Sequence, residues 1–479
     1  MNAGERELQW MKEAYPEVVS KSCEDNWMSY VKNGSQADEK LFKDWESFVP
    51  GSLAPCHLVV AAIQCMRNKG YQVEAAEQLI DIGLKMARDR DGAALQVISA
   101  QIFRHLNRAS KNEHSSYWNF KNYTTWEDVI ANCEFPDMAA APADRAALKE
   151  QIRAGWYGQL IGGALGTQIE GYCTDNIYKV FGEVTGYLRP PETYNDDITY
   201  EIAFLDAFSK QGYQITPDDI AYKWLELIAD GYSAEEVALR NLRNGMFPPE
   251  SGIHNNYYSD WIGAQMRTPI HGMAAPGNPG LAAKLAAMDS CISHSNNGII
   301  GGVFNAILVS LAFVVKDMKQ LVMDAIACLP KDSEFHQVVA DTLVQCQEHS
   351  NWREAWKACE IKFQDYNWIH AYPNAAAEII ALWFGENDFD RTAMIITMAG
   401  LDVDCNAGPV LNVLGVAYGL DAIAEKWITP LGSEIQTIMR KYRKIQIDEL
   451  VDWTFSSIQK ALDNDTVNNI KKNDEVKLI

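Results

Sequence analysis

The chain has 479 residues, of which 47% are hydrophobic and 22% charged, a composition typical of a folded globular protein rather than a disordered or fibrous one. Its formal net charge of −22 disfavours nonspecific binding to nucleic acid or to an anionic membrane, because like charges repel. No apolar run reaches the roughly 18 residues of a membrane span, and the N-terminus lacks a signal-peptide pattern. We therefore expect a cytoplasmic protein with no nucleic-acid or membrane partner, and none of its ten cysteines forms a C-x-x-C metal or redox motif.

Apolar residues recur at intervals of three and four along most of the chain, which predicts helices. The clearest segments are 58–66, 76–86, 93–106, 198–208, 301–315 and 375–384. Alternating runs of strand length are scarce. The sequence therefore predicts an all-α fold.

A single composition shift divides the chain. Residues 134–143 read EFPDMAAAPA, a Pro/Ala stretch without periodicity, and we place a boundary there. We predict a helical N-terminal region at 1–140, of unknown role, that docks on a domain at 150–462. Residues 463–479 form a polar tail.

The first candidate site begins in a glycine-rich segment. Gly162, Gly163 and Gly166 lie within five positions, and Glu170 follows four residues later. Glycine weakens a helix, so its use here indicates close approach of either another helix or a ligand. Glu170 is either a solvated charge or a functional carboxylate.

Asn195, Asp196 and Asp197 precede the periodic segment 198–208. Adjacent aspartates at a helix start commonly cap free N–H groups. The alternative is a group of oxygen ligands for a hard cation.

A polar cluster stands before the apolar segment 301–315. It contains His294, Asn297 and Gly298. A histidine before a helix is usually a capping or core residue, but Gly298 could allow backbone to approach a ligand.

The fourth candidate is Asp402-Val403-Asp404-Cys405, followed by Pro409. In an extended segment, residues two apart project to the same side, which would place both carboxylates together. Pro409 suits the first turn of a helix that begins after this motif. Cation binding and helix capping are both compatible with the pattern.

The order and spacing of these four motifs resemble the ADP-ribosylglycohydrolase family, in a branch whose late motif reads Asp-Cys-Asn. The resemblance covers residues of about 150 to 462 and includes the segment from Trp261 to Arg267. It implies a compact orthogonal helical bundle that binds one or two divalent cations, magnesium or alternatively manganese. The implied ligands are Glu170, Asn195, Asp196, Asp197, Asp402, Asp404 and Cys405.

The chain also departs from the better-known members of the family. Asn195 stands in place of Thr, Cys405 in place of Ser or Thr, and Gly163 in place of Asp. A thiol is a soft ligand and a poor match for magnesium, so one cation position is expected to be weaker, completed by water or absent.

The resemblance implies hydrolysis of the glycosidic bond at the anomeric carbon of a ribosyl group, in a small-molecule or protein-linked ADP-ribosyl conjugate. Glu170 would act as the general base, with Asp197 as the competing candidate. His294, Asn297 and Gly298 would bind the sugar or a phosphate, and Arg267 begins the segment where a diphosphate subsite is expected. The alternatives are a glycoside or nucleoside hydrolase acting on another substrate, or a non-catalytic relative.

Overall fold

The structure is a computed structural model that describes residues 1–18, 27–136 and 144–476, with side chains described as far as residue 464. Within these residues, the N-terminal region contains α1 (Ala3–Glu13), α2 (Ser29–Trp45), α3 (Leu58–Asn68), α4 (Glu74–Glu77), α5 (Ile80–Arg88), α6 (Gly92–Leu106), α7 (Trp126–Ala131) and a 3-10 helix at Ser116–Asn119. Strands β1 (Ser47–Phe48) and β2 (Pro55–Cys56) form an antiparallel hairpin in this region.

Helices also make up most of the remaining chain. They are α8 (Arg145–Gly166), α9 (Thr174–Phe181), α10 (Asp196–Gln211), α11 (Pro217–Leu227), α12 (Ser233–Arg243), α13 (Glu250–Ile253), α14 (Gly263–Arg267), α15 (Pro269–Ala274), α16 (Pro279–Ser290), α17 (Asn297–Ala312), α18 (Met318–Cys328), α19 (Glu334–Glu348), α20 (Trp352–Lys362), α21 (Ala371–Phe384), α22 (Phe389–Ala399), α23 (Val403–Tyr418), α24 (Glu425–Leu431) and α25 (Ile447–Val476), with 3-10 helices at Gly212–Gln214 and Leu420–Ala422.

The strands of the described residues are two or three residues long and pair only as small antiparallel ribbons. β3 (Tyr172–Cys173) pairs with β4 (Gly400–Leu401), and β5 (Glu434–Gln436) pairs with β6 (Lys444–Gln446). The predicted all-α fold is confirmed. Among the described residues, no helix is long and apolar enough to cross a membrane.

The helix α17 lies at the centre of the domain, and every one of its residues is buried. It packs against α14, α15, α16 and α23. A helix that is apolar around its whole circumference requires neighbours on every side, which explains its central position. The surrounding helices therefore form a bundle in which the candidate site residues come from separate elements.

The predicted helices at 58–66 and 93–106 correspond to α3 and α6. The segment 76–86 is interrupted instead, because the Leu79 N–H bonds to the carbonyl of Ala76 and tightens the chain between α4 and α5. Part of the predicted boundary at 134–143 lies outside the described residues. The predicted polar tail is helical over residues 463–476, where it continues α25.

The N-terminal region and the residues after 144 share a single hydrophobic core. Buried side chains of both parts, among them Trp45 and Ile102 before the boundary and Trp156 after it, belong to the same cluster. Phe103 stacks on Tyr257 at a centroid distance of 5.4 Å. The division into domains stays a prediction, but the N-terminal helices are packed on the rest of the chain.

Candidate functional site

Glycines along one face of α8 allow α23 to approach it at backbone distance. A Cβ at Gly162 would lie 2.4 Å from the Ala407 carbonyl carbon, and one at Gly166 would lie 2.0 Å from the Asp404 nitrogen. This confirms the helix-packing interpretation of the glycine-rich segment. The same contact also builds the site, because Glu170 follows directly after α8 while Asp404 lies in the first turn of α23.

Asn195 is the N-cap of α10, and its side-chain oxygen accepts the Asp197 N–H at 2.6 Å. The Asn195 amide donates to Asp404 Oδ2 at 3.3 Å, which links this helix start to α23. A Cβ at Gly163 would lie 3.1 Å from the same amide, so the glycine leaves the space that Asn195 occupies. Asn195, rather than the two aspartates, caps the helix, and cation binding by this motif stays a prediction.

The late motif is helical rather than extended, and this part of the prediction was wrong. Asp402 is the N-cap of α23, and Asp404 is already inside its first turn. Pro409 was also placed wrongly, since it lies within the helix rather than at its start. The carboxylates nevertheless meet, because a helix N-cap and a residue of the first turn both face the region beyond the helix N-terminus.

The side chains of the two aspartate motifs meet in two overlapping groups. One ligand atom each from Asp196, Asp197 and Cys405 lies within 4.8 Å of the others, and the same holds for Asp402, Asp404 and Cys405. Both oxygens of Asp197 and one oxygen each of Asp402 and Asp404 are buried without a hydrogen-bond partner among the described residues. Buried carboxylate oxygens without partners are costly unless a cation neutralises them, so the donor set fits a divalent metal.

Burial and mutual repulsion raise the pKa values of these carboxyl groups. The pKa of Asp404 is raised to about 7, first by burial and then by the charge of Asp196. Burial and the neighbouring Asp404 raise the pKa of Glu170 well above its ordinary value. Each carboxylate would need to lose its proton when a cation binds.

A cavity of about 420 Å³ opens above these carboxylates. Glu170, Asn195, Asp196, Asp402 and Asp404 line its floor. Asp197 does not line it and lies behind the floor, buried with 1% of its surface exposed. Among the predicted site residues, Glu170 and the aspartate motifs therefore come together around one cavity.

Arg267 occupies a different position from the one expected. It is fully buried at the end of α14, and the segment that follows it forms α15 and leads into α16. Its guanidinium donates to Asp289 Oδ1 at 2.7 Å, to Glu235 Oε1 at 3.0 Å and to Ser293 Oγ at 2.9 Å. These ion pairs leave it behind the cavity wall.

The polar cluster at the start of α17 does not line the cavity either. Burial, and then the charge of Arg267, lower the pKa of His294 well below its ordinary value, so the ring is neutral. The Asn297 side-chain oxygen accepts the Phe335 N–H at 3.2 Å. A Cβ at Gly298 would lie 2.1 Å from the Ser259 carbonyl oxygen, so this glycine admits protein backbone. A substrate contact from Arg267, His294, Asn297 and Gly298 stays a prediction, and their placement favours a structural role.

Sequence reasoning missed two buried glutamates. Glu235 lines the cavity, and its pKa is raised to about 7 by burial, although Arg267 acts in the opposite direction. Glu201 lies one turn after Asp197 on α10, and both of its oxygens are buried without a partner. Glu235 begins the pair Glu235-Glu236 near a helix start, which reads as ordinary capping, so no sequence signal separated it from a surface residue.

The comparison with known families decides what this arrangement belongs to. The profile of the ADP-ribosylglycohydrolase family matches residues 144–463, which is more than half of the 479-residue chain. The chain belongs to the ADP-ribosylglycohydrolase family. The matched range contains the glycine-rich face, both aspartate motifs and Glu170, whereas residues before 144 lie outside it.

Two individual proteins illustrate the relationship. An uncharacterized protein of Archaeoglobus fulgidus is 24% identical over 295 residues, which cover 59% of this chain and 92% of that protein. A solved structure described as an ADP-ribosylglycohydrolase-related protein complex is 20% identical and covers 66% of this chain and 99% of that chain, with a TM-score of 0.47. Both matches leave a substantial part of this ADP-ribosylglycohydrolase family member uncovered.

Proposed function

We propose that this chain is a metal-dependent hydrolase of the bond between the anomeric carbon of a ribosyl group and its leaving group, acting on an ADP-ribosyl conjugate. The observation that carries the proposal is the convergence of Glu170, Asp196, Asp402 and Asp404 on the floor of one cavity. Family membership supports the reaction class, and the unpartnered carboxylate oxygens support the metal requirement.

Asp196, Asp197, Asp402 and Asp404, with Cys405 and Asn195, would hold one or two divalent cations, magnesium or manganese. A bound cation of this kind would orient the sugar hydroxyls and make water more acidic. Carboxylate oxygen ligands favour these hard ions, although the Cys405 thiol matches them poorly.

Glu170 is the carboxylate best placed to act as the general base. It lines the cavity, whereas the competing base Asp197 lies behind the floor. In the reaction, Glu170 takes a proton from the attacking water as the new C–O bond forms at the anomeric carbon. The bond to the leaving group breaks through an oxocarbenium-like transition state, and the leaving group takes up the proton that Glu170 accepted from the water.

A second candidate function is hydrolysis of a nucleoside or simple riboside. Among the described residues that line the cavity, none is a lysine, an arginine or a histidine, and the lining carries several acidic side chains. Arg267, which was expected to begin the diphosphate subsite, instead forms buried ion pairs with Asp289 and Glu235. A neutral ribosyl compound requires no such cation.

The test uses the full chain with Mg²⁺ or Mn²⁺ and two substrates, an ADP-ribosylated peptide and a 4-nitrophenyl ribofuranoside. We expect hydrolysis that is abolished by excess chelator and lowered at least about a hundredfold by Asp404→Asn, which removes a ligand charge but keeps the side-chain shape. The exposed Asp421→Asn is the matched control and should leave the rate unchanged. Full activity in excess chelator contradicts the mechanism, and the preferred substrate decides between the two candidate functions.

The same variants give a reading that does not depend on activity. A cation that binds only the folded state raises the unfolding temperature by mass action. We expect added Mg²⁺ or Mn²⁺ to raise the unfolding midpoint of the unsubstituted protein and of Asp421→Asn, but not that of Asp404→Asn.

A further inference from the structure

The wall of the cavity opposite the family motifs comes from outside the family match. Ser47, Phe48, Val49 and Pro50, which begin the β1–β2 hairpin of the N-terminal region, line the same cavity as Glu170 and Asp196. The family profile begins at residue 144. One side of the cavity is therefore built by a segment that lies outside the family match.

The hairpin is fixed against the catalytic part of the chain. Val49, Ala54 and Cys56 are buried in a small apolar cluster that also contacts Tyr172 and Trp368. The Tyr172 hydroxyl donates to the Ser52 carbonyl at 3.1 Å. These contacts hold the hairpin in a defined position, as a specificity element requires.

The turn of the hairpin approaches the segment that carries Glu170. Gly51 has a φ of +103°, and a Cβ there would lie 2.6 Å from Thr167 Cγ2. On the other side, a Cβ at Gly171, directly after Glu170, would lie 2.5 Å from Ala54 Cβ. The hairpin and the segment that carries Glu170 are thus in direct contact on both sides of Glu170.

Phe48 is the aromatic residue of the hairpin, and its side chain is available to a ligand. It lines the cavity but is 68% exposed, unlike its buried neighbour Val49. Tyr194, Tyr232 and Ile438 are further large apolar or aromatic side chains that line the cavity and are exposed. Exposed apolar groups that line a cavity with several acidic side chains are typical of a ligand contact.

We infer that the hairpin of residues 47–56 determines substrate choice by placing Phe48 against a flat, uncharged or cationic aromatic ring of the ribosyl substrate. The inference rests on the proposed function, since it takes the sugar to sit at the carboxylate floor. Acidic residues of the lining, Asp230 and Glu235, disfavour an anionic group there. The ring is either a group attached at the anomeric carbon or the adenine of ADP-ribose.

Calorimetric titrations of the full chain in Mg²⁺ or Mn²⁺ separate these cases with three probes. D-Ribose carries no aromatic ring, adenosine carries one at the anomeric carbon, and ADP-ribose carries one at the end distant from the free anomeric carbon. We expect Phe48→Ala to weaken the binding of at least one ring-bearing probe roughly tenfold, as loss of an aromatic contact does, and to leave D-ribose binding unchanged. Phe48→Tyr keeps the ring and should retain the affinity.

Leu53 provides the matched control within the same hairpin. It is 69% exposed, as Phe48 is, but it does not line the cavity, so Leu53→Ala should leave all three affinities unchanged. Loss of adenosine binding on Phe48→Ala locates the ring at the anomeric carbon, whereas loss confined to ADP-ribose locates it at the distal end.

Two results overturn the inference in distinguishable ways. Equal affinities for all three probes in Phe48→Ala and the unsubstituted protein, with ribosyl hydrolysis intact, reject the hairpin's role and leave the proposed function standing. Failure of the unsubstituted protein to bind any of the three probes in either metal rejects the proposed function and the inference together.

Discussion

Cys405 is the residue whose chemistry fits the site least well. Its sulfur belongs to both groups of closely spaced ligand atoms, and it contacts Met266 Sδ at 3.6 Å. Burial, followed by the charges of Asp197, Asp402 and Asp404, raises the pKa of the thiol well above its ordinary value. A protonated thiol is a poor ligand for Mg²⁺, so the native residue would leave a coordination position of a bound Mg²⁺ to water.

We predict that Cys405→Ser strengthens Mg²⁺ binding severalfold and weakens binding of the soft cation Cd²⁺, because a hydroxyl oxygen replaces sulfur. Metal titrations followed by the unfolding midpoint measure both changes. Cys173→Ser, at an exposed thiol that does not line the cavity, is the control and should change neither. Unchanged Mg²⁺ and Cd²⁺ affinities in Cys405→Ser would show that the thiol is only a neighbour of the cations.

Glu378 offers a pH-dependent prediction at a single buried residue away from the cation ligands. Burial raises its pKa to about 8, although the amides of Asn305 and Gln265 act to lower it. The side-chain oxygens of these two amides are themselves buried without a hydrogen-bond donor, and a protonated Glu378 could supply one. The folded state therefore holds this proton more tightly than the unfolded state, in which the pKa is near the ordinary 4.5.

The contribution of Glu378 to stability is consequently present below pH 4.5 and is lost as the pH rises to about 8. We predict that Glu378→Gln, which is permanently neutral, removes this decline and makes the protein more stable by roughly a few kcal/mol at pH 9. Chemical denaturation at pH 5 and pH 9 measures the difference. The idea fails if the variant is destabilised equally at both pH values.

At the scale of elements, the α8–α23 contact both holds the fold and positions the site. Gly162 meets backbone atoms of Ala407, which cannot move aside as a side chain could. We predict that Gly162→Ala destabilises the protein by about 1–3 kcal/mol and lowers activity, because α23 must shift and carry Asp404 with it. Chemical denaturation and the hydrolysis assay measure the two effects.

Gly163→Ala is the matched control on the same helix. Its Cβ would meet only the side chain of Asn195, at 3.1 Å, and alanine favours a helix by roughly 0.5–1 kcal/mol over glycine. We expect its stability to stay close to that of the unsubstituted protein. Equal destabilisation by both substitutions would mean that close backbone approach is not what Gly162 provides.

The elements also show which parts of the structure could be predicted from sequence. The long apolar segments gave their helices because periodicity follows directly from burial of one face. The position of α23 was mispredicted, because Pro409 suggested a helix start, whereas the helix begins six residues earlier, at Val403. The β1–β2 hairpin at the cavity had no sequence signal, since its strands are only two residues long and owe their position to tertiary contacts.

Glu235 and Arg267 illustrate the same limit within the site. Sequence alone cannot show that a glutamate and an arginine separated by a helix and several turns become a buried ion pair, at 3.0 Å, beside the cavity. It also suggested a substrate contact for Arg267, whose partners become visible only in three dimensions. Residues that face one another across distant elements are thus identified by the fold and not by local pattern.

At the scale of the whole molecule, the N-terminal region is attached by polar contacts as well as by the shared core. Lys69, at the end of α3, donates from Nζ to the Tyr257 carbonyl at 2.9 Å and to Ser259 Oγ at 2.6 Å. The charge of Lys69 also acts to lower the pKa of the buried Asp260, against the larger effect of burial. The Lys69 side chain of the N-terminal region therefore supplies hydrogen bonds and a positive charge to buried groups of the family-matched part.

We predict that Lys69→Met destabilises the whole protein by about 1–3 kcal/mol, because Asp260 loses its cation and the Tyr257 carbonyl loses a donor. Lys85→Met is the control, since Lys85 lies in the same region but is exposed and, within the described part of the chain, forms an ion pair only with the exposed Asp89. Denaturation followed by tryptophan fluorescence and by circular dichroism should give one coincident transition, shifted in Lys69→Met and unshifted in Lys85→Met. Two separate transitions, with only the weaker one shifted, would show instead that the N-terminal region unfolds independently and that the hairpin wall of the cavity can be lost while the carboxylate floor remains folded.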